Sequence, residues 1–131
     1  MLSVTISGVE VKLDKSAVIP IFYNKYFHRD LTKDFRAVED EDNEAEAINT
    51  ITRLTYTMHK HAGGLKGLNE GSYEDYINWM MAFGAWDFYD ENVIKSIIEF
   101  YVSGVVVGNG EDSSEAETGK KTDAKTKKKE K

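Results

Sequence analysis

The stretch that decides the fold reads Asn43-Glu44-Ala45-Glu46-Ala47-Ile48-Asn49-Thr50-Ile51-Thr52-Arg53-Leu54-Thr55-Tyr56-Thr57-Met58-His59-Lys60-His61-Ala62-Gly63-Gly64. Asn43, followed three residues on by Glu46, has the form of a capping box, in which the first side chain accepts from a free backbone N–H of the opening turn. Ile48, Ile51, Leu54 or Thr55, Met58 and Ala62 then recur at helical spacing, and Gly63-Gly64 supplies a stop. This is the strongest helix in the chain. The acidic run Glu39 to Glu46 that leads into it lacks the alternating ligands and central glycine of a calcium loop, and negative charge is favoured before a helix amino terminus.

Upstream, Leu2, Val4 and Ile6 alternate with Ser3, Thr5 and Ser7, and Val9, Val11 and Leu13 alternate with Glu10, Lys12 and Asp14. Two period-2 halves around Ser7-Gly8 predict a two-stranded hairpin. Ser16 is placed to cap a helix over Lys15 to His28 carrying Phe22, Tyr23, Tyr26 and Phe27, with Pro20 acceptable only in its first turn. Leu31 to Val38 does not decide between a loop and a short helical turn around Phe35.

Downstream, Gly63-Gly64-Leu65-Lys66-Gly67 reads as a helix stop and flexible loop, since no Gly-Lys-Ser/Thr ending makes it a phosphate cradle. Ser72-Tyr73-Glu74-Asp75 repeats the capping pattern ahead of a helix with Tyr73, Tyr76, Ile77, Met80 and Met81 on one side, ending near Gly84. Asp90 or Asn92 opens the last helix, with Val93 or Ile94, Ile97, Ile98, Tyr101 and Val105 on one face and a close near Gly104. The predicted architecture is mainly α: a short N-terminal β-hairpin followed by about four helices, over residues 1–108.

Residues 1–110 hold 10 Lys and Arg against 17 Asp and Glu, so this body carries −7. Residues 109–131 are expected to be a disordered charged tail, because residues 111–131 contain no apolar side chain larger than alanine and cannot offset the entropy of ordering. The lysines from Lys120 onward fit a solvated tail, and the acidic body argues against nucleic acid as a partner. With no cysteine, thiol catalysis and disulfide scaffolds are excluded. No apolar run reaches the roughly 20 residues that cross a bilayer, and no basic-then-apolar leader opens the chain, so a soluble intracellular protein without membrane contact is expected.

Chemistry-bearing motifs are sparse. His59 and His61, two residues apart on a helix, point about 200° away from each other; with His28 they are expected to be polar surface groups, with no metal and no cofactor. No Gly-x-Ser-x-Gly occurs, and no nucleophile–base constellation is legible, so no enzyme is expected.

One window stands apart. Tyr73, Tyr76, Trp79, Phe83, Trp86, Phe88 and Tyr89 put seven aromatic residues, with Met80 and Met81, into 17 positions. That is apolar around more of a helix than one core contact needs. Two readings stand: the aromatic core of a small domain, or an adaptable binding surface of aromatic and methionine side chains.

The order of a hairpin, Met1-Leu2-Ser3-Val4-Thr5-Ile6-Ser7-Gly8-Val9-Glu10-Val11-Lys12-Leu13, an aromatic helix, Ile21-Phe22-Tyr23-Asn24-Lys25-Tyr26-Phe27, a long middle helix, Ser72-Tyr73-Glu74-Asp75-Tyr76-Ile77-Asn78-Trp79, a last amphipathic helix and a charged tail resembles the tail assembly chaperones of long-tailed bacteriophages of Gram-positive hosts. The resemblance covers roughly residues 1–105; Pro20 departs from it and leaves the start of the first helix open. It implies a non-enzymatic protein of the host cytoplasm that binds the tape measure protein, keeps it soluble until tail tube protein polymerises around it, and self-associates as a homo-oligomer. On that reading Trp79, Met80, Phe83, Trp86, Phe88 and Tyr89 would bind the partner, and Phe22, Tyr23, Tyr26 and Phe27 would form a self-association surface. The alternative is a small acidic regulatory module that binds a basic protein.

Overall fold

In the computed structural model, which describes residues 1–39 and 43–104, the long middle helix is the hub. The chain opens with strands β1 (Leu2–Ile6) and β2 (Val9–Leu13), followed by helices α1 (Ile19–Phe27), α2 (Leu31–Arg36), α3 (Glu44–His61), α4 (Gly64–Glu70), α5 (Tyr73–Met80) and α6 (Glu91–Val102), with single 3-10 turns at Ala37–Glu39 and Asp87–Tyr89. Residues Met1–Tyr101 form one compact unit; a second runs from Val102 to Lys131, of which only residues 102–104 are described. The expected tail, the 108/109 boundary and Val105 lie outside the described residues.

The hairpin forms as its alternation requires. β1 and β2 pair antiparallel with Val4 opposite Val11 and Leu2 opposite Leu13. Ser7 and Gly8 take φ of 53° and 83°, the two left-handed positions that a two-residue turn needs to match the strand twist. Val4, Ile6, Val11 and Leu13 are buried and join Ile48, Ile51, Leu54 and Met58 of α3 in the main core. The Asp14 N–H donates to the Met58 carbonyl (3.0 Å), which ties the end of the hairpin to α3.

α3 is covered around most of its circumference rather than along one stripe. Besides Ile48, Ile51, Leu54 and Met58 it buries Thr50, Thr52, Thr55, Tyr56 and Thr57. Buried hydroxyls require partners, and each of these threonines has one. Thr55 donates to the Ile51 carbonyl (2.7 Å) and Thr57 to the Arg53 carbonyl (2.9 Å). Thr52 donates to the Asn49 carbonyl (2.9 Å), and Thr50 accepts from the Arg53 guanidinium (3.3 Å). A threonine that returns its hydroxyl to its own helix presents only a methyl group outward. Thr55 and Thr57 therefore look polar in the sequence but are apolar to their neighbours.

Helix ends follow the capping chemistry with three corrections. Asn43 accepts from the Glu46 N–H (3.2 Å), Ser72 from the Asp75 N–H (3.0 Å) and Asp90 from the Asn92 N–H (2.8 Å), as expected. Leu31–Arg36 is a helix, because Asp30 caps it through the Lys33 N–H (3.3 Å). The first correction is the start of α1: it begins at Ile19, so Pro20 sits in the first turn where its missing N–H costs nothing, and Ser16 is not its cap. Second, the predicted loop at Gly64 is helix α4, which takes the helix count to six. It lies so close to α3 that a Cβ on Gly67 would stand 2.5 Å from the Lys60 carbonyl oxygen, so Gly67 permits close approach, while Gly64 supplies a φ of 73°. Third, α5 stops at Met80 rather than near Gly84.

At the other end of the core, α6 buries Ile97 and packs Val93, Ile94, Ile98 and Tyr101. Lys15 donates from Nζ to the Phe100 carbonyl (2.5 Å) and the Tyr101 carbonyl (3.3 Å), placing a cation at the last turn of that helix.

Candidate partner-binding surface

The orientation of α5 is set by a hydroxyl 19 residues upstream. Tyr56, fully buried on α3, donates to Asp75 Oδ2 (2.7 Å) and accepts from the Ser72 N–H (3.0 Å). Lys60, one turn further along α3, reaches the same carboxylate oxygen at 2.9 Å. Burial pushes the Tyr56 phenol pKa up, and the hydrogen bond to Asp75 adds to it. Burial alone would raise the Asp75 carboxyl, but the bonds from Tyr56 and Lys60 outweigh it and hold that group below its ordinary value. One turn on, the Tyr76 hydroxyl pairs with Thr52 Oγ1 (2.8 Å).

These attachments fix which side of α5 faces inward, and it is not the side that the apolar spacing suggested. Tyr76 is buried, and Trp79 and Met80 pack half-buried against both groups of core side chains. Tyr73, Ile77 and Met81, four residues apart along one face, point to solvent at 58%, 42% and 78% exposure. The sequence had grouped these three with Tyr76 and Met80 on a single inward side; α5 instead divides them.

Of the ten aromatic and methionine positions expected to form surfaces, two are exposed: Trp86 (76%) and Tyr89, whose rings meet edge to face at 5.2 Å. Phe88 is buried, so its expected place in a partner surface is corrected to the core, where it touches Phe83 (5.2 Å) and Trp79 (6.2 Å). Trp79 is half-buried between Phe83 (5.0 Å), Tyr56 (5.6 Å) and the stacked ring of His59 (5.6 Å, 20°). Met80 and Phe83 are likewise half-buried against the core.

The expected self-association face on α1 divides in the same way. Tyr23 and Tyr26 are buried and are withdrawn as surface groups. Tyr23 donates to Asp34 Oδ2 (2.8 Å), and Tyr26 donates to the Leu68 carbonyl of α4. Phe27 is half-buried among Tyr23, Tyr26, Tyr56 and Tyr76, and Phe22 lies half-buried beside Tyr26 with Lys25 over its ring. Ile21, not one of the four, is the exposed apolar residue of this helix.

Polar chemistry concentrates in two places. Buried Asp34 accepts from Arg29 Nε (2.7 Å) and Nη2 (3.0 Å) and from Tyr23, with Arg53 at 3.4 Å. Burial would raise its pKa; the Arg29 and Tyr23 bonds and the two guanidiniums hold it low instead. Tyr23 is pushed up to about 12, chiefly by burial. These groups join α1, α2 and α3, and every acceptor is taken by a structural partner. The second place is the linker after β2, where Ser16 Oγ lies 2.7 Å from His61 Nε2 and Asp14 Oδ2 lies 3.7 Å from His61 Nδ1. The order resembles a nucleophile–base–orienting acid set. However, the His61–Asp14 separation exceeds a hydrogen bond, and His61 Nδ1 is buried without a partner. His59 Nδ1 lies 3.1 Å from the Lys12 carbonyl, so both histidines attach the hairpin and linker to α3 rather than standing free on the surface.

Among the described residues, no three His, Cys, Asp or Glu side chains gather where they could hold a metal ion, and no helix is long and apolar enough to cross a membrane. No family model, no curated protein and no solved structure matches this chain.

Proposed function

We propose that this chain is a non-enzymatic assembly chaperone of a long-tailed bacteriophage. It binds the tape measure protein, keeps it soluble in the host cytoplasm, and yields it to tail tube protein as the tube polymerises. The observation that carries this reading is the solvent-facing series Tyr73 and Ile77 on α5 and Met81 at its C-cap, followed by Trp86. Large apolar side chains cost solubility when left in water, and a body that keeps several of them on one short segment has a surface suited to another protein chain. Methionine and aromatic groups adapt to varied apolar stripes without needing one fixed shape.

The order of elements supports the same reading, since a two-stranded hairpin followed by helices is the layout of the family that the sequence resembles. An acidic body keeps loaded complexes apart. No energy source is required: covering the stripe is favourable by mass action, and tube subunits displace the chaperone by offering a larger interface. Co-expression with the tape measure protein tests the proposal. That protein should move from the insoluble to the soluble fraction and co-purify with this chain; unchanged aggregation would remove the reading.

A further inference from the structure

The exposed face of α5 lies in a stretch of unusual charge. Residues 67–94 contain Glu70, Glu74, Asp75, Asp87, Asp90 and Glu91 and no lysine, arginine or histidine, so this segment of 28 residues carries −6, as much as the whole chain. Among the described residues one cation from elsewhere, Lys60, pairs with one of these acids, Asp75. Glu70, Glu74 and Glu91 are exposed. Tyr73, Ile77 and Met81 thus form an apolar ridge in an entirely acidic segment, and beside it an open hollow is lined by Ser72, Tyr73, Glu74, Asp75, Ile77 and Asn78.

Charge decides among the possible occupants. A second copy of the chain docking through this face in a two-fold contact would set Glu74 and the net negative charge of this segment against their own copies, with the repulsion that like charges meet at an interface. The chain's own lysine-rich residues 120–131 offer cations but no apolar side chain to cover the ridge. We infer that this face binds a basic amphipathic helix of another protein. Its apolar residues at i, i+3, i+4 and i+7 would lie along Tyr73, Ile77 and Met81, and its flanking lysines or arginines would meet Glu74, which lines the hollow beside the ridge. This deepens the chaperone reading by naming the kind of segment captured, and rests on it only in assigning that segment to the tape measure protein.

The probe is an 18-residue amidated helical peptide with leucine at those spacings and lysine at the flanking positions, compared with a twin carrying glutamate in place of lysine. Binding to the full-length chain is read by fluorescence anisotropy of the labelled peptide. The lysine peptide should bind at least tenfold more tightly than its twin at 50 mM salt, with the gap narrowing to threefold or less at 500 mM. Met81→Asp, at a side chain already in solvent, should weaken the lysine peptide at least tenfold, and Ile77→Asp should do the same. Unspecific attraction to an acidic protein predicts the opposite sign, because each aspartate adds negative charge. Equal affinity for both peptides, unaltered or tighter binding by Met81→Asp, or a dimer that sedimentation shows is dissolved by Met81→Asp would each overturn the inference. Solubilisation of the tape measure protein is scored separately: if it persists while the peptides fail, this face is wrong and the chaperone reading stands.

Discussion

α3 and α5 make opposite use of their residues. α3 has four buried threonines and a low density of aliphatic side chains, yet it is covered nearly all round; α5 is richer in large apolar groups and leaves Tyr73 and Ile77, with Met81 at its C-cap, to solvent. Composition does not rank the two correctly. What separates them is the number of neighbours: α3 touches β2, α1, α2, α4 and both 3-10 turns, so most of its side chains beyond the first turn meet another element. α5 is held at its start and along one side by Tyr56, Lys60 and Thr52, all on α3, and its far side has no element of the described unit to cover it. Burial is therefore a property of position in the assembly of helices, and a threonine that satisfies its own hydroxyl can occupy a core position.

The sharpest way to break the contrast is to remove volume from each helix in turn. Leu54→Ala on α3, at a fully buried site, should cost about 3–4 kcal/mol in urea unfolding, because the surrounding α3 contacts cannot close the cavity. Tyr56→Phe should cost about 2 kcal/mol by leaving the Ser72 N–H and one Asp75 oxygen without that partner. If the hydroxyl sets the orientation of α5, amide exchange should accelerate over residues 73–80 more than over α3.

Acid should act next. Asp34 and Asp75 titrate below the ordinary 3.8 in the folded chain, so their contribution to stability is present above about pH 4 and is lost as pH falls through their lowered folded values. Urea midpoints at pH 6, 4 and 3 should therefore fall mainly in the last step, and Asp34→Asn should flatten that fall. The smallest effect belongs to the exposed residues: Met81→Ala and Trp86→Ala should change stability by less than about 0.5 kcal/mol. A loss above about 2 kcal/mol at either would mean that the residue is core and that the proposed surface is mistaken.

How much was legible in advance varies along the chain. The hairpin and its turn were, because alternation and a Ser-Gly turn act within a few residues. The caps Asn43 and Ser72 were, for the same reason, and Asp90 was one of two candidates for the last helix. Helix α4 was not: Gly63, Gly64 and Gly67 read as loop signals, and only the approach of Gly67 to the Lys60 carbonyl shows why glycine is needed inside a helix there. The aromatic window was legible as unusual, but not as to which rings face out. Tyr73, Tyr76, Ile77, Met80 and Met81 fit helical stripes in more than one rotation, and nothing within the window chooses between them. Trp86 and Tyr89 remain at the surface; Phe88, Tyr23 and Tyr26 do not.

The sequence by itself determined what short-range physics controls: the two strands, the capped helix starts, the acidic balance of the body and a concentration of aromatic residues beyond position 72. The tertiary structure alone decided which of those aromatics became core and which became surface. That choice depends on groups far apart in the chain, such as the Tyr56 hydroxyl meeting Asp75 and the Tyr23 hydroxyl meeting Asp34, and a helix cannot know its own inward face until its neighbours are in place.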